Sequence, residues 1–226
     1  MNAALLARRD RLPTAGLVAL YDFVQGPDPQ TLYDRSGNGY HGTLGAAAGV
    51  DAKDPIWNTA GLQFDGVDDV VQISVPLGTE RTFITAITPL SDVSANRVFL
   101  GHGGAVYDGF SGAGRVLSSE SAAGTQRVAY STQNAVIGQP NLIASTRQSG
   151  RTAQWVNGNL TKLTFSGAPV AITMSALGAF SSSGSLGVNC VLHYLAVFGR
   201  ALSDGEVGRA RQTLRRTLAR RGVALP

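Results

Sequence analysis

The sequence is poor in cysteine and in long apolar runs. Its single cysteine, Cys190, excludes an intrachain disulfide and a metal site built from several cysteines. Cys190 stands close to Val188 and Val191, which favours a small buried apolar residue; a reactive thiol is the alternative. No run approaches the ~18–20 apolar residues of a membrane span, so no membrane-spanning segment is predicted.

The first ten residues lack the features of a signal peptide. Their apolar stretch, residues 3–7, is shorter than the roughly 7–15 residues of such a signal and precedes the charged residues instead of following them. We therefore expect synthesis in the cytoplasm without a signal peptide. Work outside a cell would require assembly into a larger particle or lysis.

Glutamate is scarce as well: the chain contains only Glu80, Glu120 and Glu206. A glycosidase needs two carboxylates, either about 5–5.5 Å or about 6.5–9.5 Å apart. No strand carries a Glu-x-Asp-x-x-Glu type of run, and no local motif announces a Ser/His/Asp triad around the scattered His41, His102 and His193. A glycan hydrolase is therefore the least favoured function, and no catalytic residue is predicted.

What the chain does contain is typical of many short strands. Hydrophobic residues make up 43% and charged residues 15%, which excludes disorder, and 28 glycines indicate frequent tight turns. Hairpins are predicted at Asp65-Gly66, across residues 116–131, across residues 142–156 and at Asn157-Gly158. About a dozen strands at this spacing predict an all-β, antiparallel jelly-roll β-sandwich in one domain.

One segment has a helical period. Ser203 and Glu206 form a capping box. One apolar face follows at spacings of three and four, and Gly222 marks the end; the face consists of Val207, Ala210, Leu214 and Leu218. The predicted organisation is an N-terminal arm (1–14), the sandwich (15–202) and a basic amphipathic C-terminal helix (203–222) that packs on or beside the sandwich.

The net charge of +4 comes from arginines near the two ends. We expect them to form a docking surface for an acidic partner or a solvated face; the residues concerned are Arg8, Arg9, Arg209, Arg215, Arg216 and Arg220. Nucleic acid is the less favoured partner, because no base-reading motif or interleaved aromatic residues accompany these arginines.

Four motifs together resemble the concanavalin A-like, laminin-G-like domains of bacteria and bacteriophages. They are the opening strand at 16–23, the Asp-Arg-Ser-Gly-Asn-Gly turn at 34–39, the Leu-Gln-Phe-Asp-Gly segment at 61–71 and the Arg-Ala-Leu-Ser-Asp segment within 195–207. A fifth likeness is Trp-Val-Asn-Gly at 155–158. The resemblance covers about residues 15–210 and implies a lectin-type sandwich, a fold that hosts lectins, adhesion modules, enzymes and spacers.

Two kinds of site are expected. Some proteins of this fold hold calcium on rim loops, so Asp34, Asp65, Asp68 and Asp69 are candidate Ca²⁺ ligands; the alternative is that they cap their own turns. Sugar-binding sandwiches expose aromatic rings, for which the candidates are Tyr107, Phe110, Trp57 and Tyr40; packing is the alternative for each ring. Tyr107 and Phe110 stand in a run rich in glycine and serine, so we expect them in an exposed loop.

The leading functional expectation is a non-enzymatic structural protein of a bacteriophage virion, in a capsid decoration, a head fibre or the tail. It would be oligomeric in an assembly with other virion proteins and could present loops to host-surface glycans. The alternative is an independent carbohydrate-binding lectin-type module, with or without a dependence on calcium.

Overall fold

Alternating apolar residues and glycine-containing turns produce a strand-rich structure. The computed structural model describes residues 12–47, 49–91, 96–102, 107–122, 125–164, 169–181 and 186–226. Within these ranges the strands, in chain order, are β1 (Leu17–Tyr21), β2 (Thr31–Leu32), β3 (Gly42–Leu44), β4 (Ile56–Trp57), β5 (Leu62–Asp65), β6 (Val71–Leu77), β7 (Arg81–Pro89), β8 (Arg97–Gly101), β9 (Tyr107–Ser111), β10 (Arg115–Ala122), β11 (Thr125–Asn134), β12 (Asn141–Gln148), β13 (Arg151–Val156), β14 (Asn159–Thr164), β15 (Ile172–Leu177) and β16 (Asn189–Phe198). One α-helix follows, α1 (Asp204–Ala219).

The strands form two sheets of eight. The first runs β14-β13-β12-β7-β16-β5-β4, with β1 also paired to β16; the second runs β11-β10-β9-β8-β15-β6-β3-β2. All of these strand pairs are antiparallel. The predicted antiparallel β-sandwich with a C-terminal helix is therefore confirmed.

Three predicted hairpins are confirmed and one is wrong. β10 pairs β11, β12 pairs β13, and Asn157-Gly158 joins β13 to β14 with φ of 55° and 92°, as a type I′ turn requires. The Asp65-Gly66 hairpin does not form, because β5 belongs to the first sheet and β6 to the second. The segment between them instead crosses the rim. Gly66 has φ +79°, and a Cβ there would lie 2.5 Å from the Asn189 nitrogen.

The main core lies between the two sheets. It contains fully buried rings and aliphatic side chains from both inner faces, among them Tyr21, Phe64, Phe99, Phe110, Val75 and Leu195. A strand with one face toward such a core buries every second residue. The pattern of β6, buried at Val71, Ile73, Val75 and Leu77, follows this rule.

Helix α1 covers the outer face of the first sheet. Its buried residues are those of the predicted apolar face plus Thr213, and they pack on side chains of β7, β12, β13 and β16, including Ile84, Leu142, Trp155, Tyr194 and Phe198. The capping box is confirmed: Ser203 accepts from the Glu206 nitrogen, and the Glu206 carboxylate accepts from the Ser203 nitrogen. Because both faces of the first sheet are covered, β7 is buried along its whole length.

Helix α1 is terminated at Gly222, as the sequence predicts. Gly222 has φ +77°; its N–H donates to the Ala219 carbonyl, and the Val223 N–H donates to the Leu218 carbonyl. These two hydrogen bonds define a Schellman ending.

In the described part of the chain, no helix is long and apolar enough to cross a membrane. Residues 1–11 of the predicted arm, with Arg8 and Arg9, lie outside the described residues.

Candidate functional site

A groove at the β4 edge of the first sheet combines an aromatic ring with polar side chains. Its volume is about 400 Å³, and its lining residues are Phe23, Val24, Gln25, Trp57, Asn58, Thr59 and Arg221. They come from the segment after β1, from β4 and the turn that follows it, and from the end of α1. The groove therefore forms where three segments that are distant in the sequence meet.

The aromatic element of this groove is Trp57. Its ring is half-buried and packs against the main core, while its Nε1–H donates to the Pro29 carbonyl at 2.8 Å. The hydrogen bond fixes the ring, and two neighbouring aliphatic side chains are open to solvent, Val24 at 44% and Ile56 at 69%. A fixed indole at the edge of a solvent-filled groove is suited to stacking on an apolar ring face.

Arg221 joins the segments that line the groove. Its guanidinium donates to four backbone carbonyls, those of Asp22, Phe23, Ala60 and His193, at 2.7–3.4 Å. These carbonyls belong to the segment after β1, the turn before β5 and the strand β16. A planar guanidinium can donate five N–H groups in a fixed fork, which is why one residue can join three segments.

His193 supports the same wall in its neutral form. Its Nδ1 lies 2.9 Å from the Ala60 carbonyl, and its Nε2 lies 2.8 Å from Thr88 Oγ1. Burial lowers the pKa of His193, and the nearby Arg221 charge acts in the same direction. A neutral ring with its proton on Nδ1 satisfies both contacts, donating to the carbonyl and accepting from the hydroxyl.

The backbone beside the groove is strained at Phe23. This residue is buried, yet its φ is +50°, in the left-handed region that bulky side chains rarely adopt. Such strain persists only where the surroundings hold it, and it concentrates at ligand sites. Here the Arg221 guanidinium contacts the Phe23 carbonyl directly.

The other predicted sugar-binding rings differ from Trp57. Tyr107 and Phe110, expected in an exposed loop, lie on β9 and are 8% and 0% exposed. Neither ring is therefore available to stack on a sugar: the run that reads as a loop, Tyr-Asp-Gly-Phe, is a strand buried on both faces. Tyr40 is half-buried against the main core, and its carbonyl accepts a hydrogen bond from the Tyr21 hydroxyl.

Asp34 organises its own turn. Its carboxylate accepts hydrogen bonds from the nitrogens of Leu20, Ser36 and Tyr40 and from the Ser36 hydroxyl. Burial opposes the charge, but these hydrogen bonds outweigh it and hold the pKa of Asp34 below its usual value. Three of these contacts lie within the turn, and the fourth joins the turn to β1 at Leu20.

Asp65, Asp68 and Asp69 do come together at the rim, where β5 crosses to β6. One oxygen of each lies within 4.8 Å of the others, and Asp34 is not part of this group. The buried Asp69 accepts from the Asp65 nitrogen at 2.7 Å. Burial raises the pKa of Asp69 to about 6, and the charges of Asp65, Asp68 and Asp54 add to the rise. The geometry provides three carboxylates of the kind calcium prefers.

One half of the sandwich interior is polar. Glu120 of β10 receives the Arg81 guanidinium of β7 at 3.2 Å and lies 3.7 Å from the Arg147 guanidinium of β12. Its carboxylate also accepts from the Val170 nitrogen at 2.8 Å, while Arg147 donates to the Thr152 hydroxyl. All three charged side chains are at most 4% exposed. Glu120 is thus a structural counter-ion between two buried cations.

A second buried group adjoins this one. Asp108 of β9 lies 3.0 Å from His102 Nε2 and accepts a short hydrogen bond from the Ser118 hydroxyl. Burial disfavours the Asp108 charge, but hydrogen bonding and the Arg147 charge leave its pKa lowered. Burial also lowers the pKa of His102, which therefore stays neutral and stacks on Phe83.

The predicted docking arginines that can be placed lie on α1. Arg209, Arg215, Arg216 and Arg220 are all exposed on its solvent side.

The sequence alone did not predict the role of Arg221, which binds backbone carbonyls at the groove. It also missed the buried charges, because alternation of polar residues in strands such as Ser118-x-Glu120 and Ser145-x-Arg147 reads as a solvent-facing side. No signal in a single sequence distinguishes a polar interior from a polar surface.

No protein-family model matches the chain, and no curated protein matches its sequence. Among solved structures, domain 4 of AbnA, a GH43 extracellular arabinanase from Geobacillus stearothermophilus in complex with arabinotriose, is similar with a TM-score of 0.61 and 17% identity. That match covers 85% of this chain and 97% of the domain.

Two further similarities are to larger proteins. A Trypanosoma rangeli sialidase in complex with sialic acid matches with a TM-score of 0.62 and 16% identity over 91% of this chain. The chain spans about a third of the sialidase, 34%. The binding domain of Paraclostridial Mosquitocidal Protein 1 matches with a TM-score of 0.58 and 12% identity, over 85% of this chain and 51% of that one. At these identities the comparisons establish the β-sandwich fold alone.

Proposed function

We propose that this protein is a non-enzymatic carbohydrate-binding module and that its glycan lies in the groove at Trp57. The observation that carries the proposal is the ring itself, fixed by the Pro29 carbonyl at the edge of a groove of about 400 Å³. Gln25, Asn58 and Thr59 add amide and hydroxyl groups around the ring. An apolar platform with a few polar groups is how proteins bind sugars.

The fold comparisons support the same class of function. The similar arabinanase domain is in complex with arabinotriose, and the similar sialidase is in complex with sialic acid. A third similar structure is the binding domain of a toxin. These ligands are the natural first probes for the groove.

The two carboxylates between the sheets, Asp108 and Glu120, are unsuited to hydrolysis. A glycosidase acid must stay protonated near neutrality, which requires a raised pKa. Asp108 has a lowered pKa, and Glu120 is paired with Arg81 inside the sandwich. Both side chains are at most 5% exposed, which leaves them out of reach of a polysaccharide.

The proposal is tested by titrating arabinotriose, sialic acid and a glycan array against wild type and Trp57→Ala. We expect Trp57→Ala to weaken binding at least tenfold, because truncating an aromatic side chain at the centre of a binding site costs about 2 kcal/mol or more. Trp155→Phe, which changes the other tryptophan, is the matched control and should bind as wild type. Equal binding by Trp57→Ala, or a blank array with the folded protein, would reject the groove as the site.

The virion role and its oligomeric assembly stay predictions, supported by the resemblance to phage domains and by the exposed arginines of α1. Mass spectrometry of purified particles is the decisive test, since a virion protein must co-purify with them. Calcium at Asp65, Asp68 and Asp69 likewise stays a prediction.

A further inference from the structure

A narrow cleft separates the first half of α1 from the outer face of the first sheet. Its volume is about 160 Å³, and it is lined by Leu142, Ala144, Trp155, Gly158, Asp204, Val207, Gly208 and Arg211. Pockets for drug-sized ligands run from about 300 to 1,000 Å³, so this cleft fits a single side chain rather than a free small molecule. Its floor is apolar, because Leu142, Ala144 and Trp155 belong to the second hydrophobic cluster.

Gly208 keeps this cleft open. A glycine inside a helix costs about 0.8–1 kcal/mol relative to alanine. A Cβ at Gly208 would meet no heavy atom within 4 Å, so packing within the chain does not require glycine there. What the missing side chain provides is room for another chain to approach the helix backbone closely.

The surroundings of the cleft carry an excess of positive charge. A wider cleft of about 420 Å³ shares Asp204 with it and brings in Arg151, Lys162 and Glu206, whose carboxylate is paired with Arg200. Arg211 and Arg215 follow Gly208 at three and seven residues, on the same flank of the helix. The carboxylate of Asp204 is already paired, at 2.7 Å from Lys162 Nζ and 3.8 Å from Arg151.

We infer that this cleft is the docking site for an acidic segment of a partner protein that inserts one apolar side chain beside Trp155. An apolar anchor in a small pocket, surrounded by complementary charge, is the usual organisation of a protein–protein hot spot. The site is separate from the glycan groove, and each site contains one of the two tryptophans of the chain.

That separation gives a direct experiment. In Trp57→Phe the sole tryptophan is Trp155, and its fluorescence reports on the cleft alone. The probes are three nine-residue peptides: leucine flanked by four glutamates on each side, the same peptide with alanine in the centre, and leucine flanked by lysines. We expect the first to shift the emission and to bind at least tenfold tighter than the other two, with an affinity that falls as salt rises.

Filling the cleft supplies the second measurement. Gly208→Leu should abolish binding of the acidic leucine peptide and leave Tm equal or higher, because leucine favours helix and the space is empty. Gln212→Leu, on the exposed side of the same helix, is the control and should bind normally. Any of three results would overturn the inference. They are equal affinities for the three peptides, undiminished binding of the acidic leucine peptide by Gly208→Leu, and an oligonucleotide that binds Gly208→Leu and Gln212→Leu with the same affinity. Loss of glycan binding at Trp57 would leave these results unchanged.

Discussion

The two halves of the sandwich interior are built from opposite chemistry. One half is filled by aliphatic and aromatic side chains such as Tyr21, Phe64 and Val75. The other half lies toward one end of β7, β12 and β13 and of the facing β9 and β10, whose other inward side chains, such as Phe110 and Val116, belong to the apolar core. It contains charged and amide groups, which include Arg81, His102, Asp108, Glu120, Arg147 and Gln154. The same strands contribute to both, since β7 carries Arg81 at one end and Ile87 near the other.

This difference shows that the burial of a side chain does not by itself determine how much stability is lost when that side chain is replaced. Apolar contacts are non-directional and scale with area, so a lost methylene costs about 0.8 kcal/mol. An intact buried ion network contributes little more to stability than apolar packing would. Removing one partner, however, leaves the other charge buried and uncompensated. We therefore expect single substitutions to lower stability more in the polar half than in the apolar half. Replacing the whole ion network by apolar side chains should lower stability less.

The largest effect is expected from removing Glu120. Glu120→Leu removes the carboxylate that pairs with the Arg81 guanidinium and lies 3.7 Å from that of Arg147, and it should lower the free energy of unfolding by about 3–5 kcal/mol. Replacing all three side chains by apolar ones, Arg81→Met, Glu120→Leu and Arg147→Met, should cost less than the single change. Urea unfolding of both variants measures the difference.

Leu62→Ala in the apolar half is the reference for that experiment, with an expected loss of about 2–5 kcal/mol from transfer and cavity formation. It has no partner whose replacement could restore stability. A triple variant less stable than Glu120→Leu would contradict the comparison, because it would mean that the network contributes more than apolar side chains of similar volume.

The next effect is the part of the pH dependence of stability that comes from the polar half. Because the pKa of His102 is lowered below 6.5, the unfolded chain takes up the proton first as pH falls. The contribution of His102 to stability is therefore greatest above pH 6.5 and declines below it, and the lowered pKa of Asp108 extends the loss below pH 4. His102→Asn should flatten the slope between pH 6.5 and 5 in unfolding curves, and an unchanged slope would assign it to other groups such as His193.

The sequence predicts most of the local structure and little of what lies between the sheets. The Ser203 cap, the apolar face of α1 and the Asn157-Gly158 turn depend on neighbours within a few residues, so local patterns suffice. The Asp65-Gly66 crossing depends on which sheet the next strand joins, and that is decided by distant partners. The sequence predicts only Trp57 of the groove at the β4 edge, because Arg221 reaches the Asp22 carbonyl across 199 residues of chain.

The smallest effect is expected at Asp69, where the apolar half meets the rim. Its folded pKa of about 6 exceeds the usual 3.8, so the folded state binds the extra proton and stability falls as pH rises from about 4 to 6. Asp69→Asn keeps an acceptor for the Asp65 nitrogen and removes the repulsion, so without calcium it should raise Tm at pH 7 and leave it unchanged at pH 4. If calcium binds these carboxylates, adding it to wild type at pH 7 should raise Tm and cancel the gain of Asp69→Asn. A Tm that is insensitive to calcium, with the gain intact, would favour three carboxylates that repel one another over a metal site.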